Sequence, residues 1–509
     1  MYEAIKNTGL YWQPLGGNNI DQISGHCYRY TDVIRSNGKR QSTTILVDLG
    51  KFDNHQALGI QNSAAAVPDI RDILSDKEDM PKALFLTHSH PDHLNGIIHY
   101  LKAGYKLPSL YAGKYTFMIL YDLLQGYHFP QNLWPKFNVI EDGSRLSIGS
   151  LEIEVLASSH TCFDSLGLII KSPNAVVYHT GDMKLDQTTY FRPPTNIKRL
   201  RELAPSINAV VADFYGIYSD GFALKEADTL KCLVKLIRKS RKSKIFLPVY
   251  PTHPEMYITA FLAALKLKKN VVFYGNTDFF GYLKMIIEYG ISFEKMAEGK
   301  IVVSYSHNEE EVAKLNDDYV VIGTYNHIPD VFNVSKKDCY GIITAKTFFN
   351  PLKGQLNLKN IKFATVDDYP ELQGYGHGFF GDYEELNNIL GRRPVFLPTH
   401  CPTYMIDDVR ELANYCGLKI VGTTPKNNQI YRIKRKRIEL VSVSPAKWLV
   451  VIYNSDDFAY MAEVFQKPTS GHGFLKRTIS RRRCQNRFKS YLQKRINLNR
   501  GKNGTSNQV

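Results

Sequence analysis

The sequence predicts a layered α/β protein built of packed sheets, with a parallel-sheet segment set inside it. Three observations carry this expectation. Short apolar runs of strand length alternate with turns over residues 20–160. Strand-like and helix-like runs alternate regularly over residues 205–345. Polar residues with metal-ligating side chains recur just beyond the apolar runs. At 509 residues the chain is too long for one compact core, and 43% hydrophobic with 22% charged residues is ordinary globular composition.

In chain order, Thr44 to Leu49 is an apolar strand closing on Asp48 and Gly50. Ala83 to Leu86 is a second strand, ending in a histidine cluster. Ser147-Ile148, Leu151 to Leu156, Gly167 to Ile170 and Ala175 to Tyr178 continue the β pattern. From about residue 205 the rhythm changes. Strand Ala209 to Asp213 precedes a helix, Ala227 to Ile237, with Leu230, Leu233, Val234 and Ile237 at helical spacing. Strand Ile245 to Leu247, helix Met256 to Leu267, and strands Val271 to Tyr274, Tyr319 to Gly323 and Gly341 to Thr344 follow. This alternation predicts a parallel sheet with crossover helices. A helix, Tyr383 to Leu390, and a strand, Pro394 to Leu397, lead to His400. The C-terminal part reads as two strands, Ile438 to Val443 and Trp448 to Tyr453, and a short helix, Phe458 to Phe465.

Composition excludes several classes. The longest apolar run in the C-terminal part, Trp448 to Tyr453, is far short of the roughly 20 residues of a membrane-spanning helix. The start, Met1-Tyr2-Glu3, lacks a secretory leader pattern. Seven scattered cysteines without a CxxC argue against a disulfide scaffold, so a reducing, cytoplasmic setting is expected. The net charge of +15 is concentrated: from Gln429 onward there are 18 Lys and Arg against 4 Asp and Glu. Such a tail suits a polyanion, because each neutralised phosphate releases counterions.

The strongest chemical signal is Thr87-His88-Ser89-His90-Pro91-Asp92-His93, on the loop between strand 83–86 and a helical run through Leu94, Ile97, Ile98 and Leu101. Neutral imidazoles and a carboxylate suit zinc, manganese or similar divalent ions. One loop cannot complete two metal sites. His160, Asp182 and His400 each stand just past an apolar strand and are the further candidates.

Together with Asp48 in Val-Asp-Leu-Gly, these residues resemble the four motifs of the metallo-β-lactamase superfamily. Asp213 with Glu226 downstream, Gly376-His377-Gly378 and Pro398-Thr399-His400 resemble the three motifs of its β-CASP group. Asp164 to Gly167 and His179 to Asp186 are similar to the ribonuclease J family. The resemblance spans about residues 15–433. It implies a metallo-β-lactamase αββα sandwich with an inserted parallel-sheet β-CASP domain. The expected divisions are 1–204 and 371–433 for the sandwich, 205–370 for the insert, and 434–509 for a basic extension.

The resemblance further implies two divalent metal ions, zinc first, with manganese or magnesium as alternatives. His88, His90 and His160 would hold one, and Asp92, His93 and His400 the other, with Asp182 bridging and Asp48 orienting a ligand or sharing a proton. Two such ions about 3.5–4 Å apart activate water against a phosphodiester. Asp92 or Asp182 would accept a proton, and His377 would contact the scissile phosphate or protonate the leaving group. His253, after strand 245–247, would touch nucleic acid or cap the next helix. The expected activity is metal-dependent hydrolysis of RNA phosphodiester bonds, as exonuclease, endonuclease or both. A DNA-acting nuclease and, further off, a small-molecule metallo-hydrolase are the alternatives. RNA is the expected partner, DNA the alternative, and a homodimer stays open. Arg481, Arg482 and Arg483, interleaved downstream with Phe488 and Tyr491, suit phosphate contact and base stacking. Phe214-Tyr215, Tyr375 and Thr347 to Asn350 depart from the family pattern around its phosphate loops, which leaves the cleavage mode open.

Overall fold

A strand buried on both faces carries apolar residues at every position, with alternate ones serving different layers. The last three residues of the strand Lys39–Val47 show this: Ile45 and Val47 join one buried cluster while Leu46 joins another. In the strand Leu151–Ala157, Ile153 and Val155 likewise face one way and Leu156 the other. Two mixed sheets therefore pack face to face, with helices outside both, giving the αββα sandwich of the metallo-β-lactamase fold. The computed structural model describes residues 5–18, 24–52, 64–324, 339–344, 362–374, 376–401, 406–421, 425–435, 437–443, 447–453 and 459–465.

The first sheet runs, edge to edge, Ile438–Val443, Gln429–Ile433, Gly9–Gly16, Cys27–Ser36, Lys39–Val47, Pro81–Phe85, Ser109–Ala112 and Phe137–Val139. The second runs Lys419–Ile420, Val395–Thr399, Ala209–Asp213, Val176–His179, Leu166–Lys171, Leu151–Ala157 and Arg145–Ile148. The layer between them is built from Trp12, Tyr28, Tyr30, Val47, Phe85, Val155, Leu168, Val177, Val211 and Leu397. Helices Gly96–Lys102 and Lys114–Gly126 cover the first sheet. Ile197–Leu203, Phe380–Ile389 and Ile406–Tyr415 cover the second.

A six-stranded, all-parallel sheet stands beside the sandwich in the order Val303–Ser306, Asn270–Tyr274, Tyr319–Gly323, Lys244–Pro248, Cys339–Ile342 and Lys362–Ala364. Its crossover helices include Glu226–Lys239, Pro254–Lys266 and Thr277–Tyr289. One apolar cluster runs from Leu94, Ile97 and Leu120 of the sandwich to Leu233, Leu247, Phe261 and Val320 of this sheet. The rings of Tyr115, Phe163 and Tyr289 meet where the two join.

Two expectations need correction. The alternation read from residue 205 begins one strand early: Ala209–Asp213 lies in the second sandwich sheet, parallel to both Val176–His179 and Val395–Thr399. Local pattern cannot tell which sheet an apolar strand enters. The expected helix Phe458 to Phe465 is instead a strand, Ala459–Phe465. It pairs with Lys447–Tyr453, which in turn pairs with Ala64–Pro68. Its alanines, methionine and glutamate suit a helix, but an available strand edge outweighs propensity. Arg481 to Arg483 and Thr347 to Asn350 lie outside the described residues.

The junction between sandwich and insert is charged. Arg192 donates to Glu226 through Nε at 2.9 Å and to the carbonyl of Cys162 at 3.3 Å, and Glu226 also accepts from the backbone of Tyr190 at 2.8 Å. Asp186 accepts from the backbone N–H of Glu226 at 2.8 Å and lies 3.7 Å from Lys184 Nζ. Beside them Glu255 is buried, and neither carboxyl oxygen has a hydrogen-bond partner. Burial pushes its pKa up to about 8, against the pull of Arg192 and with the help of Glu226. A carboxyl that is neutral in the fold adds stability below its unfolded value near 4.5, and loses it as pH rises through about 8. Glu255→Gln should therefore flatten this dependence. Thermal midpoints measured from pH 5 to pH 9 should show the variant gaining on the wild type as pH climbs, and parallel curves would reject the assignment.

Candidate metal centre

The sequence places its chemistry at strand ends, and the two sheets bring those ends to one edge. Asp48 follows Lys39–Val47; Thr87 to His93 follow Pro81–Phe85; His160 follows Leu151–Ala157; Asp182 follows Val176–His179; and His400 follows Val395–Thr399. Two of these residues, Asp48 and His400, hold left-handed backbone conformations, φ 59° and 52°. Non-glycine residues seldom adopt such a conformation without a surrounding structure that enforces it. Gly50 matters for a different reason. A Cβ there would sit 1.6 Å from the carbonyl oxygen of Asp92, so only glycine lets the histidine loop pack this closely.

Asp182 is the hub. Its Oδ2 lies 3.3 Å from His93 Nε2, 3.6 Å from His400 Nε2, and 3.8 Å from both His88 Nε2 and His160 Nε2. On one side, ligand atoms of His88, His90 and His160 lie within 4.8 Å of one another. On the other, those of Asp92, His93 and His400 do so, joined by His26. The structure thus brings together His88, His90, Asp92, His93, His160, Asp182 and His400.

Hydrogen bonds decide which nitrogen of each ring faces inward. His93 Nδ1 donates to Asp48 Oδ2 at 2.8 Å, while Asp48 also accepts from the Thr87 backbone at 2.7 Å and hydroxyl at 2.9 Å. His160 Nδ1 donates to the Gly376 carbonyl at 2.8 Å. His88 Nδ1 meets the Thr87 hydroxyl at 3.0 Å, and His90 Nε2 meets the Thr161 hydroxyl at 3.1 Å. Nε2 of His93, His160 and His88, and Nδ1 of His90, are left to the centre, the arrangement in which an outer partner fixes the tautomer of a metal ligand.

Charge supports the same use. Burial holds the pKa of His88, His160 and His400 well below the usual value and brings His90 to about 4, so these rings keep free lone pairs at neutral pH. For His93, burial works the same way, but Asp182, Asp48 and Asp92 outweigh it and raise the pKa. Burial disfavours ionised Asp92 and Asp182; His93 above all reverses this, and both stay carboxylates. Within this buried cluster, His88 Nε2 and His93 Nε2 have no hydrogen-bond partner. Orphaned ring nitrogens aimed at a carboxylate are what a cation would satisfy, so the residues fit divalent metal.

His377 stands at the rim, donating from Nδ1 to Asp213 Oδ2 at 2.8 Å with Asp182 Oδ2 at 3.8 Å. Burial would lower its pKa, yet Asp213 outweighs this and raises it. Tyr215 lies against the rings of both His377 and His400, at 4.7 and 4.9 Å between centroids. His253 makes no side-chain cap to the helix Pro254–Lys266 that it precedes. Its ring lies 5.3 Å from that of His90 and stacks on Tyr250. Sequence reasoning missed His26. It searched beyond strand ends, whereas His26 precedes a strand, Cys27–Ser36, whose antiparallel course puts its start at the same edge.

Fold and site together define a metallo-β-lactamase-fold protein with a histidine- and aspartate-lined centre. Residues 64–212 match the family model described as a β-lactamase superfamily domain. The chain is similar to Ribonuclease J of Sinorhizobium meliloti, 26% identical over 238 residues, 46% of this chain and 40% of that protein. It is 28% identical over 211 residues to Ribonuclease J of Corynebacterium glutamicum, covering 40% of this chain and 29% of the relative. The matches thus span less than half the length of these curated relatives. A crystal structure of a protein of unknown function from Enterococcus faecalis V583 shares the fold, with a TM-score of 0.59 at 17% identity over 85% of this chain and all of that one. Among the described residues no helix is long and apolar enough to cross a membrane.

Proposed function

We propose that this protein is a metal-dependent ribonuclease of the β-CASP type that hydrolyses RNA phosphodiester bonds. One observation carries the reading: Asp182 Oδ2 stands within 3.8 Å of ring nitrogens from both histidine groups, as a bridge between two cations requires. His88, His90 and His160 would hold one ion and Asp92, His93 and His400 the other. Divalent cations bound there supply Lewis-acid activation of water and neutralise phosphate charge.

The chain's own residues do the rest. Asp48 keeps His93 in the tautomer that presents Nε2. Asp92 and Asp182, both ionised, are placed to take the proton released as water attacks phosphorus. His377, held by Asp213 and biased toward its protonated form, is placed to give a proton to the departing sugar oxygen. The parallel sheet, from Lys244–Pro248 to Lys362–Ala364, and its helices would take the part of the β-CASP domain, with Ala209–Asp213 left to the sandwich. His253, stacked on Tyr250 with its ring 5.3 Å from that of His90, suits a nucleic-acid contact beside the centre.

The decisive experiment uses 5′-labelled RNA bearing a monophosphate, triphosphate or hydroxyl, and a matching DNA, with zinc, manganese or magnesium and a chelator control. Chelator-sensitive cleavage of RNA supports the proposal, with mononucleotides marking exonuclease action and internal fragments endonuclease action. Cleavage of DNA alone, or none of either, rejects it. His377→Ala should lower kcat by about 10²–10⁴-fold, the usual contribution of a positioned general acid. Its metal content, read by elemental analysis, should be unchanged; loss of metal would make His377 a ligand instead.

A further inference from the structure

We infer that His26 is a direct ligand of the cation at Asp92, His93 and His400, giving that position a third ring nitrogen. This rests on the two-cation reading above and adds a residue that stands outside all the motifs. The backbone fixes His26 in place from both sides: its N–H donates to the Asp92 carbonyl at 2.8 Å, and its own carbonyl accepts from Gly50 N–H at 2.9 Å. The residue is therefore tied to the segment that carries Asp92.

The ring is buried and oriented. Nδ1 is 2.7 Å from the Tyr28 hydroxyl, which leaves Nε2 facing the centre. Nε2 has no hydrogen-bond partner and lies 3.6 Å from Asp92 Oδ2. One ligand atom from each of His26, Asp92, His93 and His400 falls within 4.8 Å of the others. The ring stacks on His93 at 4.2 Å and 18° and lies 4.3 Å from His400. Room for it is made at Gly17, φ +82°, where a Cβ would meet His26 Nδ1 at 2.4 Å.

A histidine serving only as filler would be expected to satisfy both nitrogens, because a buried unpaired polar atom is unfavourable. Here the unpaired nitrogen is the one that lies 3.6 Å from Asp92 Oδ2. Three imidazoles beside Asp92 and Asp182 also make this position nitrogen-rich. Such a donor set favours zinc or cobalt over magnesium or manganese.

The test uses the full-length chain, stripped by chelation and titrated with cobalt(II). The wild type should take up two equivalents. Its proton spectrum should contain six hyperfine-shifted imidazole N–H resonances, one each from His26, His88, His90, His93, His160 and His400. His26→Phe, which keeps the stack on His93, and His26→Ala should bind the first equivalent normally. Both should weaken the second by at least about 10–100-fold, the loss reported for disturbing a metal ligand's support, and each should lack one shifted resonance. The resonance count separates ligation from packing, since a packing residue would leave five in both proteins. Two cobalt ions with five resonances in the wild type overturn the assignment of His26 and leave the ribonuclease reading standing. A wild type that binds no cobalt overturns both.

Discussion

Replacing Asp182 with alanine is expected to abolish cleavage while leaving the fold intact. Among the described residues, Asp182 Oδ2 is the one carboxylate oxygen within 3.8 Å of ring nitrogens of His88, His93, His160 and His400 together. Without it the two histidine groups lose their shared anion, and four buried imidazoles are left with Asp92 and, behind His93, Asp48. The turnover should drop by at least the roughly 10²–10³-fold that follows loss of one preorganised electrostatic group. Metal content should fall below two ions per chain. RNA affinity, measured on an uncleaved analogue, should change far less than turnover, because nucleic-acid affinity comes mainly from neutralising many phosphates along the strand. A variant that still cuts at the wild-type rate would reject the metal assignment. Asp182→Asn sharpens the experiment, since it keeps the volume and removes only the charge.

Glu226→Ala carries the largest expected effect on stability. Arg192 and Glu226 are both buried, and besides its carboxylate partner the guanidinium bonds to the Cys162 carbonyl at 3.3 Å. Deleting the carboxylate strands a buried cation, which typically costs about 3–5 kcal/mol. Denaturant unfolding monitored by circular dichroism would measure it. Replacing both partners with apolar residues, Arg192→Met with Glu226→Leu, should recover most of the loss, because the desolvation penalty then vanishes for both. A single variant within about 1 kcal/mol of the wild type would mean that Arg192 is not held as a buried ion, since surface pairs contribute only that much.

The fold was legible where chemistry and periodicity coincide. Residues such as His88, His160, Asp182 and His400 announce themselves by following apolar strands, and the sheets gather them because strand ends of a layered fold share an edge. His26 was not legible in that way. Its position depends on which neighbour the next strand pairs with and in which direction, a tertiary fact that no local spacing contains. The strand Ala209–Asp213 was misplaced for the same reason: a mostly apolar five-residue run fits either sheet, and its pairing with Val176–His179 and Val395–Thr399 decides. Ala459–Phe465 shows the limit of propensity, since a partner strand overrules residues that favour a helix. Asp213 was legible as a motif, but its hold on His377 Nδ1 was not, because 164 positions separate the two.

The parallel pairing of Ala209–Asp213 with Val395–Thr399 has a consequence for biosynthesis. These neighbours in space are separated by the entire insert, and His400 lies one residue past the second of them. A nascent chain that has emerged only through the insert carries the histidine loop, His160 and Asp182, yet it lacks His400 on the far side of the candidate centre. The candidate centre is therefore completed only after the insert has been synthesised, and a product released before that point carries an unfinished blade.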